Sequence, residues 1–337
     1  MRSQRQEHSP THEGRRWQRA ARAVATSVLA ALGLATVAGA FSASWWVLDL
    51  IANLRLHLTI ALILLTVVFV ALRSWRVTVV SAVVAGVNLA VALPVLVPLL
   101  FGTPAPSAPA AAPLEVTFFN TKFRADRNLT IAHLEARDDD VVVLALAVGS
   151  WVEDLRSSRL GLHIHTGPDT ELGEDLELVT MTRDPDTEVI VHRLSEDPRD
   201  AVVEIVVDHD GGSIHMLAAH PVSPVTRDRA ARRDAMLAWL TDQARDRDAP
   251  VVVIGDLNAT TWSSPLRELV READLTDSRV GHGLQPSWPV DIGLFGLTID
   301  HVLHSEEITT LDRQRTPIPG SDHPMIHARL SRRADGS

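Results

Sequence analysis

The chain contains no cysteine and no tyrosine, and its 32 basic residues include a single lysine, Lys122. Without cysteine, disulfides, thiolate zinc sites and thiol nucleophiles are excluded. The absence also suits an oxidising exterior, where stray thiols are a hazard. Arginine outnumbers lysine 31 to 1, which reads as a bias of composition rather than of function. Apolar residues are unevenly spread: residues 23–101 are almost purely apolar and the remainder is highly charged. Nine of the 32 basic and three of the 42 acidic residues precede residue 102, so the remainder carries a formal charge of about −16. Such a surface repels polyphosphate backbones and makes nucleic acid an unlikely partner. A small phosphorylated substrate needs only a local site and stays open.

Three stretches are long enough to cross a bilayer: residues 23–43, "LHLTIALILLTVVFVAL" (56–72) and "VTVVSAVVAGVNLAVALPVLVPLLF" (77–101). Three apolar runs with almost no polar face disfavour buried core helices, and two spans after the first disfavour a cleaved leader. Arg2, Arg5, Arg15, Arg16, Arg19 and Arg22 precede the first span, and Arg73 and Arg76 follow the second. Only Arg55 lies between the first two spans. The basic bias therefore predicts a cytoplasmic N-terminus and, after three spans, an extracytoplasmic C-terminal domain of a cell-membrane protein. Trp45, Trp46 and Trp75 fall near span ends, where indoles favour the interface. Pro94 and Pro98 are expected to bend the third span without breaking it. The expected organisation is a basic tail (1–22), a three-span anchor (23–101), a stiff Pro/Ala spacer (102–114) and one domain (115–331).

Within that domain "LEVTFFN" (114–120), "DVVVLALAV" (140–148), "LGLHIHT" (160–166), "LELVTMT" (176–182), "EVIVHRL" (188–194), "AVVEIVVDH" (201–209) and "SIHMLAAHP" (213–221) read as strands. "APVVVIGDLNA" (249–259) is a buried strand running into a loop, and "TIDHVLHS" and "PMIHARL" are the last strands. Helical spacing covers 127–138 and 227–246, and "SPLRELVREA" (264–273) is a short helix with Ser264 as cap and Pro265 at its first position. Many strands with few helices between them predict an α/β sandwich, with polar residues where strands stop.

"VVVIGDLNA" places Asp256 and Asn258 one residue apart, on one side of an extended backbone. A carboxylate can accept a proton from water while the amide holds the water or a phosphate oxygen. A turn is the bland alternative. "IDHVLHS" and "GSDHPMI" each set Asp before His at a strand edge. His323 could donate to a phosphoryl oxygen that gains charge in the transition state, with Asp300 orienting the imidazole and keeping it protonated. His163 and His165 share one strand face, and "DDD" (138–140) reads as a solvated helix end. Trp262 and Trp288 fit either a lipid-facing rim or the core.

"GDLNAT", "IDHVLHS" and "SDHPMI", in this order, resemble the endonuclease/exonuclease/phosphatase superfamily. "FFNTKF" and "LAAHPVSP" look like its first-strand Asn motif and its central His motif. "TTWSSPLRELVREADLTDS" and "QPSWP" look closer still to its membrane-anchored, three-span bacterial branch, which includes VanJ-type teicoplanin-resistance proteins. The resemblance implies a four-layer α/β sandwich with two packed mixed β-sheets flanked by helices, here preceded by three transmembrane helices. It implies a metal-dependent phosphoesterase acting on a phosphorylated small molecule or lipid of the cell envelope. By position, Asp256 would be the general base, Asn258 and Asn120 would position phosphate and water, and His220 would bind phosphate. His323 with Asp300 would stabilise the phosphorane, and Asp322 with Asn120 would contact a divalent metal, Mg2+ or Mn2+.

The sequence departs from the family at the main metal ligand. Aligning Asp140 and Trp151 with the family pattern puts Ala145 at its Gln and Leu146 at its Glu. Leucine cannot coordinate a hard cation. Another acid could replace it, with Glu153 and Asp154 nearby in sequence. The metal could rest on Asp322, the Asn pair and substrate oxygens. Or the domain could bind a ligand without turning it over. The absence of tyrosine removes the phosphate-binding tyrosine of the repair-nuclease branch, which again disfavours a nuclease.

Overall fold

The computed structural model describes residues 12–102, 112–122, 124–147, 149–167, 170, 172 and 175–333, with side chains from residue 16 onward. Residues 1–11 of the basic tail, spacer residues 103–111, Phe123 of "FFNTKF" and Val148 of the second strand motif lie outside the described residues. The chain divides into two compact units, Met1–Pro94 and Val95–Ser337, and the dividing point falls inside a helix.

Helices α1 (His12–Ala40), α2 (Trp46–Ala52) and α3 (Arg55–Ala71) of the first unit, and α4 (Trp75–Phe101), which contains the dividing point, follow the apolar runs. Among the described residues, α1, over Arg16–Ala40, and α4 are the two helices each long and apolar enough to cross a membrane. The expected middle span, 56–72, coincides with α3, which at 17 residues reaches span length only together with α2, and α2 meets it at 58°. α4 runs unbroken through Pro94 and Pro98. Leu29, Leu62, Phe69 and Ala85 pack these helices together. Buried polar side chains pair across these helices: Arg55 donates to Asn88 Oδ1 at 3.1 Å, and Asn88 Nδ2 donates to Thr36 Oγ1 at 2.8 Å.

In the second unit, β-branched runs bounded by turn residues become the strands β1 (Leu114–Asn120), β2 (Val141–Ala145), β3 (His163–Thr166), β4 (Leu178–Thr182), β5 (Glu188–Arg193) and β6 (Ala201–His209). They continue with β7 (Gly212–Ala219), β8 (Val251–Asp256), β9 (Thr276–Asp277), β10 (Asp300–His304), β11 (Ile308–Pro317) and β12 (Pro324–Arg332). The helices are α5 (Arg127–Glu135), α6 (Trp151–Arg156), α7 (Arg227–Arg245) and α8 (Ser264–Glu272). Ser263, not Ser264, occupies the cap of α8. One sheet runs β11-β12-β1-β2-β4-β3 and the other β5-β6-β7-β8-β10-β9. Each is mixed: β1 is parallel to β2 and β7 to β8, and the remaining pairs are antiparallel.

The sheets pack face to face through Phe118, Val143, Ile205, Met216, Ile254 and Ile326. On the far side of one sheet, Met236, Leu240, Leu266 and Leu269 of α7 and α8 pack against Leu217 and Val253. On the far side of the other, Leu134, Trp151 and Leu155 of α5 and α6 pack against Val142 and Leu144. These are the expected two packed mixed sheets flanked by helices.

Candidate active site

Asp256 ends β8, and a glycine makes that ending possible. A Cβ on Gly255 would lie 1.8 Å from the Ala219 carbonyl oxygen, and its φ of 152° disfavours any side chain. β8 therefore closes tightly on β7, whose continuation carries His220. β10 pairs with β8 in a register that sets Asp300 directly opposite Asp256. Gly320 does the same for the last motif: its φ is 90° and a Cβ would meet the Arg124 carbonyl oxygen at 2.1 Å. Ser321 then anchors the turn, donating through Oγ to the Asn120 carbonyl at 2.7 Å and accepting the His323 N–H at 3.0 Å.

The residues expected from sequence converge. Asn120 Nδ2 donates to Asp256 Oδ2 at 2.9 Å, and the Asn258 N–H donates to Asp256 Oδ1 at 3.0 Å. Both carboxylate oxygens are thus fixed. His323 Nδ1 donates to Asp300 Oδ2 at 2.9 Å, leaving Nε2 3.7 Å from Asp256 Oδ2 and 3.7 Å from Asp322 Oδ1. His220 Nε2 lies 3.7 Å from Asp256 Oδ2. Asn258 differs from expectation: its φ of 49° makes it a turn residue, and Nδ2 donates to the Pro221 carbonyl at 2.9 Å. The two Asp-His pairs also differ from each other. Neighbours on a strand face opposite ways, so Asp300 looks into the site while His301 donates to the Ala259 carbonyl at 2.9 Å and faces Asp277.

Burial, then the nearby charge of Asp300, push Asp256 up to about 6. Burial works against a charged His323, but Asp300 and then Asp256 outweigh it and raise it to about 9. Burial lowers His220 to about 4, so it is neutral at pH 7. Near neutral pH the site holds a largely ionised Asp256 facing an imidazolium.

Position 146 carries Leu146 with a φ of 57°, immediately after β2. Neither acid named from sequence supplies the missing carboxylate: Asp154 pairs with Arg127 at 2.7 Å, and Glu153 is exposed on α6. Three neighbours were given no role at the phosphoryl site by the sequence. Glu177 accepts the Leu146 N–H on its carbonyl at 2.7 Å, and lines a small cleft with Arg199 and His220. Trp288 Nε1 donates to Asp322 Oδ2 at 2.9 Å, and Lys122 Nζ donates to the same oxygen at 3.1 Å. Burial opposes the Asp322 charge, but those two bonds hold its carboxyl below the usual range. The signals for Lys122 in the sequence are its being the sole lysine and its place in "FFNTKF", two residues after Asn120. The remaining candidates are structural. His165 Nε2 bonds Thr182 Oγ1 at 2.6 Å on edge strand β3. Asp139 of "DDD" is buried rather than solvated, and accepts from Thr117 Oγ1 at 3.0 Å.

The sequence model of the Endonuclease/Exonuclease/phosphatase family matches residues 118–323. The chain belongs to that family. Among solved structures it is similar to D. rerio TDP2 complexed with a single-strand DNA product, at 17% identity and TM-score 0.53, covering 65% of this chain and 99% of that one. A Bacteroides vulgatus endonuclease/exonuclease/phosphatase gives 14% identity and TM-score 0.53 over 66% and 100% of the two chains. One from Beutenbergia cavernae gives 20% identity and TM-score 0.51 over 66% and 72%. At these identities the likeness shows the fold. No curated protein matches the sequence.

Members of the endonuclease/exonuclease/phosphatase superfamily are phosphoester hydrolases and generally depend on a divalent metal. A buried Asp256–Asp300–His323 group offers ligand atoms within 4.8 Å of one another. Its imidazole, however, is bonded to Asp300 and held protonated, and a protonated imidazole has no lone pair for a metal. At the corner where the family resemblance puts the metal, Leu146 offers no side-chain oxygen and Asp322 already grips an ammonium. Magnesium and manganese want a shell of oxygen ligands. The residues at this corner do not fit one.

Proposed function

We propose that this chain is a membrane-anchored phosphoesterase that hydrolyses a phosphate or pyrophosphate ester of an envelope lipid on the outer side of the cell membrane. Support comes first from one observation: Asp256, with both oxygens held by Asn120 and Asn258, faces the imidazolium of His323 across 3.7 Å. Asp256 takes a proton from the attacking water, while His323 Nε2 stabilises charge on the phosphoryl oxygens. Asp300 holds that imidazole by Nδ1 and keeps it charged. Neutral His220 borders the same carboxylate and contributes a phosphate contact.

The lipid part of the proposal draws on a loop beside the site. Trp288 and the Val290 N–H both bond Asp322, and the chain then exposes Ile292, Leu294 and Phe295 at 49%, 71% and 61%. Such a concentrated apolar tip suits an acyl or prenyl chain or a bilayer surface. The two or three apolar helices and the resemblance to the VanJ-type branch support the anchor and the outward orientation. The charge of about −16 after residue 101 speaks against nucleic acid.

A second reading, a phosphate-binding module without turnover, is favoured by Leu146. Purified full-length protein with vesicle-embedded lipid pyrophosphate separates them. The phosphoesterase reading expects phosphate release that Asp256→Asn abolishes. Release only after Leu146→Glu would favour the binding module.

A further inference from the structure

We propose that the ammonium of Lys122 stands where the family places its divalent cation, and grips the substrate's phosphoryl group directly. The inference rests on the site described above holding a phosphoryl group. It explains why a chain with 31 arginines keeps one lysine, and keeps it two residues after Asn120.

The backbone fixes where Lys122 sits. Its φ of 52° is left-handed, and its N–H donates to Asn120 Oδ1 at 3.0 Å. The preceding Thr121 donates through Oγ1 to the Leu146 carbonyl at 2.8 Å and through its N–H to the Ala145 carbonyl at 2.9 Å. These bonds stitch the end of β1 to the end of β2, so Lys122 and the carboxylate-less position 146 share one corner. Nζ then meets Asp322 Oδ2 at 3.1 Å, and the other oxygen of that carboxylate lies 3.7 Å from His323 Nε2. The ammonium is thus one carboxylate away from the imidazolium that faces the phosphoryl group.

The chemistry of the corner suits an ammonium better than a metal. A divalent ion needs several oxygen ligands, and Leu146 has removed one. An ammonium needs none beyond its hydrogen-bond acceptors. It carries three donors, of which Asp322 takes one, and the others remain for phosphoryl oxygens. Lysine serves as a point-charge phosphate binder in other folds. A guanidinium would fork onto both oxygens of Asp322 instead. The Lys122 side chain is 47% exposed and that of Asp322 30% exposed, so the pair adds little to stability and the ammonium is open to an incoming phosphate.

The test uses the full-length protein in detergent, with inorganic phosphate titrated by calorimetry in chelator and in magnesium, and Mn2+ binding followed by electron paramagnetic resonance. The expected result is phosphate affinity that is the same in both buffers and about tenfold weaker in Lys122→Ala. The native protein should bind no stoichiometric Mn2+, and an unchanged unfolding temperature would show that Lys122→Ala is folded. Phosphate binding that requires magnesium, that survives Lys122→Ala undiminished, or that is absent altogether would overturn the assignment. So would one tight Mn2+ on the native protein. Lys122-dependent phosphate binding without ester hydrolysis would sink the phosphoesterase reading and leave the role of Lys122 standing.

Discussion

Asp256 and His323 are opposite charges brought within 3.7 Å, and each sets the other's working range. Activity should rise as Asp256 ionises near about 6 and fall as His323 loses its proton near about 9. Asp300 raises both groups, so Asp300→Asn should move both limbs of a kcat/KM–pH profile to lower pH, and an unmoved alkaline limb would contradict the pairing. Asp256→Asn should cost on the order of 10²–10⁴ in kcat, the usual contribution of a positioned base. Most of these residues were legible in the sequence, because each sits in a short motif at the end of an apolar strand. Lys122 and Trp288 lie within "FFNTKF" and "QPSWP", and Glu177 within the strand run 176–182, but nothing in those stretches assigned them to the site. A left-handed turn, a cross-strand partner and a loop bring them in.

At the scale of elements, strand reading worked where one or both faces are buried. β1 and β6 coincide with their apolar or alternating runs, 114–120 and 201–209. β11 was missed: "ITTLDRQRTP" is an edge strand whose residues are mostly polar and half-exposed, so it lacks the apolar signal. The expected middle span, 56–72, matches α3 to within a residue, but hydropathy registered neither α2 nor the 58° break that sets it off from α3. The junction most sensitive to substitution is the contact of β7 with β8. Gly255→Ala should lower stability by about 3 kcal/mol, a fall of roughly 6–12 °C in Tm, because the new methyl must displace backbone rather than a side chain. Thermal unfolding of the purified protein measures it, and an unchanged Tm would refute the tight closure.

At the scale of the whole molecule, an acidic domain carries an apolar tip beside its site. Leu294→Asp with Phe295→Asp should depress hydrolysis of a vesicle-embedded lipid phosphate at least about tenfold while sparing a soluble short-chain ester, because only the embedded substrate needs the tip. Equal losses on both substrates would remove the tip from the account. The central claim, that the converged carboxylates and imidazolium direct water onto phosphorus, is tested most directly by hydrolysis in 18O-labelled water. Incubation of the native protein and Asp256→Asn with a lipid pyrophosphate, followed by 31P NMR, reads the isotope shift in the products. The account predicts one 18O in a phosphoryl product of the native protein and none from Asp256→Asn. No labelled product from the native protein, or equal labelling by the two, would contradict it.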